Sequence, residues 1–176
     1  MASEILKVLT GKGTQHAVGS LNNMRIRMIN QGAVAEADID NYMIVESTGF
    51  NEEGQRTFKL LSDITKKGFL LASPENVMSD LGENISSFYH AKGERGRIVI
   101  QDFGQRFECS NVKPSDKSVA IKEGQAAYFD PAEEAFIAVT KGEDPKYATA
   151  GNKYMVVDAN ANTLAGQQTY RLEIVE

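Results

Sequence analysis

The chain has 176 residues, 41% of them hydrophobic and 24% charged, with 19 Lys and Arg against 24 Asp and Glu for a net charge of −5. That balance belongs to a folded globular protein and excludes collagen-like and disordered classes. It also argues against a dedicated nucleic-acid binder, because the basic residues are few and interleaved with acids.

No apolar run reaches the roughly 18 residues that a membrane-spanning helix needs. Met1 to Thr10 contain Glu4 and Lys7, which break the apolar core a signal peptide requires. The one cysteine, Cys109, cannot form an intrachain disulfide, so packing must supply the stability.

In chain order, residues 1–20 are polar and Gly-containing and read as an N-terminal arm. Met24 to Ile29 alternates, with Met24, Ile26 and Met28 on one face and Arg25 and Arg27 on the other, as a half-buried strand requires. Tyr42 to Glu46 is the next strand, followed by polar turns through Ser47-Thr48-Gly49 and Asn51 to Gly54. Thr57 to Leu61 and Phe69 to Ala72 follow, parted by a turn at Lys66-Lys67-Gly68 where glycine would take a positive φ.

A helical stripe then runs from Ser73-Pro74 through Val77, Met78, Leu81, Ile85, Phe88 and Tyr89. Gly82 divides it into one or two short helices, and Gly93 ends it, with His90 on the surface in the last turn. Arg97 to Ile100 reads as a covered strand. It turns at Asp102 to Gln105 into Gln105 to Ser110, with Phe107 and Cys109 facing inward.

The polar stretch Asn111 to Ser118, which includes Pro114, is the expected domain boundary. Beyond it, Val119 to Lys122, a hairpin of Ala126 to Phe129 with Ala135 to Val139, Met155 to Asp158 and Thr169 to Val175 read as strands, with Ala159 to Asn162 as a loop. The expected class is therefore mainly β (α+β). It comprises an arm (1–20), a β-rich N-terminal domain with one or two short helices (21–113) and a small C-terminal β-barrel or sandwich (114–176). No internal repeat is visible in the sequence.

The residues assemble no catalytic set, so the expected catalytic, cofactor and metal residues are none. Gly11 to His16 lacks the later Gly-Lys-Ser/Thr of a phosphate loop and the third glycine of a dinucleotide loop. Asp38-Ile39-Asp40-Asn41 lacks the glycine and distal glutamate of a calcium loop and reads as a solvated turn or a cap. Asn84-Ile85-Ser86 matches a glycosylation sequon without a secretion signal to give it meaning. Cys109 alternates with Phe107 and reads as a small buried hydrophobe. Arg25, Arg27, Arg95 and Arg97 are the candidate interface residues, because guanidinium groups make forked, charge-assisted bonds at protein contacts.

Several stretches carry a resemblance. Gly32-Ala33-Val34 through Asn41 to Glu46, Leu61 to Ala72, Gly93 to Val99 and Arg106-Phe107-Glu108 resemble head-associated structural proteins of tailed bacteriophages. Glu123 to Pro131, Phe136 and Leu164-Ala165-Gly166-Gln167 are similar to phage capsid decoration (cement) proteins. The resemblance implies a non-enzymatic virion protein, made in the host bacterial cytoplasm, that binds the outer surface of an expanded shell. Its implied partners are the major capsid protein and other copies of itself, a trimer being favoured by three-fold sites, with no cofactor, no direct nucleic acid and no membrane. The alternative class is a tail-tube or head–tail joining subunit. A carbohydrate-binding β-sandwich fits less well, because the chain has no Trp and 8% aromatic residues for stacking.

Overall fold

A computed structural model of the chain describes residues 17–21, 23, 25–74, 88–164 and 166–175. Among these the regular structure is almost entirely strand: β1 (Gly19–Leu21), β2 (Arg27–Met28), β3 (Ala33–Ala35), β4 (Ile44–Phe50), β5 (Arg56–Leu60), β6 (Phe69–Leu71), β7 (Arg95–Gly96), β8 (Ile98–Ile100), β9 (Arg106–Cys109), β10 (Val112–Pro114), β11 (Ala126–Asp130), β12 (Ala135–Ala138), β13 (Lys153–Leu164) and β14 (Gln167–Ile174). One short helix, α1 (Pro145–Thr149), is capped by Asp144, whose carboxylate accepts from Lys146 N. The mainly β class expected from the alternation is what the structure shows.

The strands form two mixed sheets, ordered β2-β8-β6-β4-β5-β3-β7 and β1-β9-β14-β13-β11-β12-β10. Each closes on itself. β7 and β8 are one extended run broken at Arg97; β3 and β2 pair along it, and β6 pairs with its β8 end. β9 and β10 likewise form one run parted by Ser110 and Asn111, with β14 on β9 and β12 on β10. Closure leaves few open edges, which removes the main aggregation hazard of a β protein.

The two barrels share one connectivity. In each, counting five extended runs in chain order, the first pairs parallel with the third and antiparallel with the fifth. The second pairs antiparallel with the third and fourth, and the fourth with the fifth. Registers coincide as well. Val45 lies opposite Leu60 and Phe69, and Ala127 opposite Ala138 and Tyr154. Tyr42 N donates to Leu71 O and Leu71 N to Met43 O; Gly124 N donates to Val156 O and Val156 N to Gln125 O, all within 2.8–2.9 Å. Tyr42 (φ 54°) and Gly124 (φ 81°), both left-handed, occupy the same place. The backbone repeats where the sequence shows no repeat.

One apolar core runs through both barrels, from Ile44, Phe58, Leu70 and Ile98 in the first to Phe107, Phe129, Phe136 and Tyr154 in the second. The second is aromatic, its rings meeting edge-on or tilted at centroid distances of 5.1 to 5.8 Å, a geometry that the ring quadrupole favours. A polar seam joins the barrels. Gly68 N donates to Asn152 Oδ1 (2.7 Å), Asn152 Nδ2 and Gln101 Nε2 donate to Gly68 O, and Tyr154 Oη donates to Gln101 Oε1 (2.6 Å). The expected division between 113 and 114 falls inside β10. β1 and β9, from before it, lie in the same sheet as β11 to β14.

Several local expectations are corrected. Met28 is 45% exposed, while Ile26 and Ile29 pack on the core; the strict alternation lapses because the chain turns at Asn30-Gln31. Ser47-Thr48-Gly49 is no turn but a bulge inside β4, with Gly49 at φ 123° supplying the irregular residue. Gly68 does not take a positive φ. It is required because a Cβ there would meet Ile44 Cγ2 at 2.5 Å and Val45 O at 2.9 Å. Val119–Lys122 forms no strand, and Ala159–Asn162 belongs to β13 rather than to a loop.

The helical stripe at Val77, Met78, Gly82, Leu81 and Ile85 lies outside the described residues, as do the Asn84 sequon, Met24 and the glycines and His16 of the N-terminal segment. Phe88 and Tyr89 are not helical, and His90 is 3% exposed in a bridge with Ile39, not at the surface of a last helical turn. Backbone pairing, with Ile39 N donating to His90 O and His90 N to Ile39 O, draws it inward.

Candidate functional site

The four arginines singled out in the sequence separate in space. Arg27, on β2, bonds Asp102 across 2.6 Å. Arg25 is exposed just before that strand. Arg95 and Arg97, two positions apart around the break between β7 and β8, line one cleft of about 600 Å³ together with Met28 to Gly32, Ser73, Pro74, Phe88, His90 and Glu94. Only this pair is brought together.

The cleft exists because the first barrel is interrupted there. β2 and β3 pair with the same run, but Asn30 to Gly32 loops away between them, Gln31 and Gly32 both taking left-handed φ (63° and 64°). Gly32 is obligatory, since a Cβ would strike Gly96 O. Arg95 Nη1 donates to Gln31 O (2.9 Å). Arg97 is held at its root, its backbone N donating to Ser73 Oγ (2.8 Å) and its Nε to Ala72 O. Ser73 is itself pinned by the fully buried Asn41, whose Oδ1 accepts from Ser73 N and whose Nδ2 donates to Ser73 O. Among the described residues, neither Arg95 nor Arg97 has a carboxylate within ion-pair distance.

Beside this cleft a second, of about 530 Å³, shares Ile29 to Gly32 and Arg95 and extends to Phe50 and Arg56. Phe50 is 65% exposed and carries Arg56 over its ring at 4.8 Å, an amphipathic arrangement of the kind enriched at protein contacts. Sequence reading missed Asn30, Gln31 and Phe50. The Gln31-Gly32 pair was the available turn signal, but nothing local shows that Arg95 folds against it.

The other polar groups are structural. Asp40 Oδ2 accepts from Ala17 N (2.9 Å) and Asp38 Oδ1 from Lys92 N (3.0 Å), so the acidic cluster serves as a set of backbone caps. Cys109 is wholly buried, and burial pushes its thiol far above the ordinary range, which suppresses the thiolate a nucleophile needs. The chemistry this surface offers is charge pairing and hydrogen bonding.

A third feature is the β13–β14 ribbon. β11 pairs with β13 only at Lys153–Met155, and β9 with β14 only at Tyr170–Glu173. Among the described residues, Asn162–Leu164 and Gln167–Thr169 pair only with each other. From Ala159 to Tyr170 the ribbon contains no charged residue.

A double barrel with a cleft that carries two arginines and a long uncharged ribbon places the chain in the broad class of β-rich proteins. Over residues 12–175 the chain matches the family described as YonC prophage protein, and it belongs to that family. It is 41% identical over 184 aligned positions, covering 100% of this chain and 99% of the relative, to the SPbeta prophage-derived uncharacterized protein YonC of Bacillus subtilis (strain 168). The phage origin implied by the sequence resemblance is thereby shown. Among the described residues no helix is long and apolar enough to cross a membrane.

Proposed function

We propose that the chain is a non-enzymatic structural protein of the phage particle that binds the outer surface of the capsid and stabilises the expanded shell. The observation that carries this reading is the ribbon of β13 and β14 on a rigid double barrel, in a chain of a prophage family. An uncharged two-stranded ribbon offers backbone donors and acceptors to a neighbouring subunit, and its edges lack the charges that ordinarily block such pairing. A ligand bound only to the assembled shell stabilises it by mass action, and several weak contacts per chain raise its effective concentration there. The shell partner is the major capsid protein, and a trimer suits attachment at three-fold positions.

The test is co-sedimentation of purified chain with expanded heads, immature heads and isolated tails from an induced lysogen. Binding to expanded heads alone, together with a higher temperature of head disruption, is expected. Binding to tails alone transfers the protein to the tail-tube or head–tail joining class, and binding to none of the three ends the proposal.

A further inference from the structure

The shared connectivity allows the two barrels to be compared residue by residue. Met28 lies opposite Val99, and Arg106 opposite Glu173; Leu70 lies opposite Val99, and Met155 opposite Glu173. Met28 therefore corresponds to Arg106 and Val99 to Glu173. Counted from β2, Asn30 falls at the place of Glu108; counted back from β3, where Ala35 corresponds to Val112, Gln31 falls there, because the first run holds one residue more in its Asn30–Gly32 loop, and neither residue is charged. Ile98 corresponds to Leu172, since Leu71 and Val156 are their partners, so Arg97 corresponds to Arg171. The cleft lined by Asn30, Arg95 and Arg97 and the groove of about 420 Å³ lined by Arg106, Glu108, Asn162 and Arg171 are the same place in two copies of one fold.

What fills that place in the second barrel is visible. Glu108 is 4% exposed, and its Oε1 accepts from Arg171 Nε (3.0 Å) and Nη2 (2.6 Å), a forked charge-assisted contact. Asp158 adds a carboxylate 3.7 Å from Arg171 Nη1. In the first barrel the Asn30-Gln31 turn stands at that position; both residues are exposed and neither brings a charge. Among the described residues no carboxylate lies within ion-pair distance of Arg97, and Arg95 lines the same cleft.

We infer that the cleft at Asn30, Arg95 and Arg97 is a recognition site for an acidic side chain of a partner protein, which supplies from outside the carboxylate that Glu108 supplies from within in the second barrel. The equivalence itself names the ligand chemistry, and two arginines that have no carboxylate within ion-pair distance among the described residues, set beside Glu94 in the lining, give the complementary field. Resting on the reading above, the partner is the shell protein, and the contact is one of the several points at which the chain is held.

The experiment uses the full chain and three variants. Asn30→Glu installs the internal carboxylate, Arg95→Glu reverses the charge at the rim, and Arg97→Lys keeps charge but loses the fork. The first probe is a hexaglutamate peptide, read by NMR at the arginine Nε–H resonances. Expected are shifts at Arg95 and Arg97 in the parent chain, weakening with salt, and affinity lowered by about tenfold in Asn30→Glu and in Arg95→Glu, the loss of one charge-assisted contact. Asn30→Glu is also expected to raise the unfolding temperature, which shows that the variant is folded and that the carboxylate has found Arg97.

The second probe is binding to expanded heads, where the same two variants are expected to bind more weakly. Hexaglutamate that shifts Arg171 as strongly as Arg97, or shifts neither, overturns the site. Arg95-dependent association between copies of this chain overturns the assignment of its partner. Peptide binding without any head binding leaves the site standing and defeats only the capsid reading.

Discussion

At the scale of single residues, stability rests on places where backbone geometry admits one side chain or none. Gly124 has φ 81° with open space around its Cα. Gly124→Ala therefore incurs only the left-handed penalty, about 1–2 kcal/mol in chemical denaturation. Gly19 is different in kind: an added Cβ would run into Glu108 O and the Tyr42 ring at the junction of the barrels. Gly19→Ala is expected to cost more than Gly124→Ala in the same assay, because both obstacles are fixed by the core. Asp130 gives a pH-dependent prediction. Burial pulls its carboxyl upward, but the Lys146 ammonium at 2.7 Å and the Ala132 N–H outweigh burial and hold it below the ordinary carboxylate value. A depressed folded-state value stabilises above the unfolded value and loses that contribution as pH falls through the folded one. The stability gap between the parent chain and Asp130→Asn, on the order of 1 kcal/mol near neutrality, should be full above pH 3.8 and close below it in thermal melts.

At the scale of elements, the β13–β14 ribbon and α1 show what each connection does. α1 closes over the outer face of β11 and β12, where Tyr128, Ala135, Ile137 and Ala150 form a small second cluster with Tyr147. Tyr128 Oη donates to Asp144 Oδ2 (3.0 Å), so the residue that caps the helix also ties it to the sheet. Asp144-Pro145 is a plain N-terminal signal, and it was passed over because five residues carry no helical stripe. Among the described residues Asn162–Leu164 and Gln167–Thr169 form ladder pairs only with each other, while Asn162 O accepts from the buried Thr169 Oγ1 (3.1 Å). Replacing residues 163–167 by a short glycine-containing loop, which leaves Asn162 in place, is therefore expected to change the unfolding free energy by less than about 1 kcal/mol. The same replacement is expected to reduce head binding sharply in the sedimentation assay. A large loss of stability would show that the ribbon belongs to the core instead.

At the scale of the whole molecule, the two barrels behave as one body because apolar packing and the polar seam cross between them. Asn152 is 5% exposed and satisfies both the N–H and the carbonyl of Gly68. Asn152→Ala leaves these groups without that side chain and is expected to cost about 1–3 kcal/mol. The parent chain should unfold in a single transition, with tyrosine fluorescence and far-ultraviolet circular dichroism coinciding. Separate transitions for the two probes would mean that the seam does not couple the barrels.

Alternation in Phe107 to Cys109 and Tyr170 to Ile174, the Asn51–Gly54 turn and the hairpin at Pro131 were legible in the sequence, because strand period and turn chemistry act within a few residues. The β-rich class follows from them, and so does the inward placing of Cys109. The repeat of connectivity was not legible. Val45 and Ala127, or Asn30 and Glu108, need only occupy the same register, not share a residue type, and register is set by partners tens of residues away. The burial of His90, the close approach at Gly68 and the meeting of Arg95 with Gln31 have the same origin: each depends on a long-range backbone pairing whose energy is shared between two segments and written in neither. Local rules thus determined which stretches extend and which face is apolar, whereas closure of the sheets decided which arginines stand together.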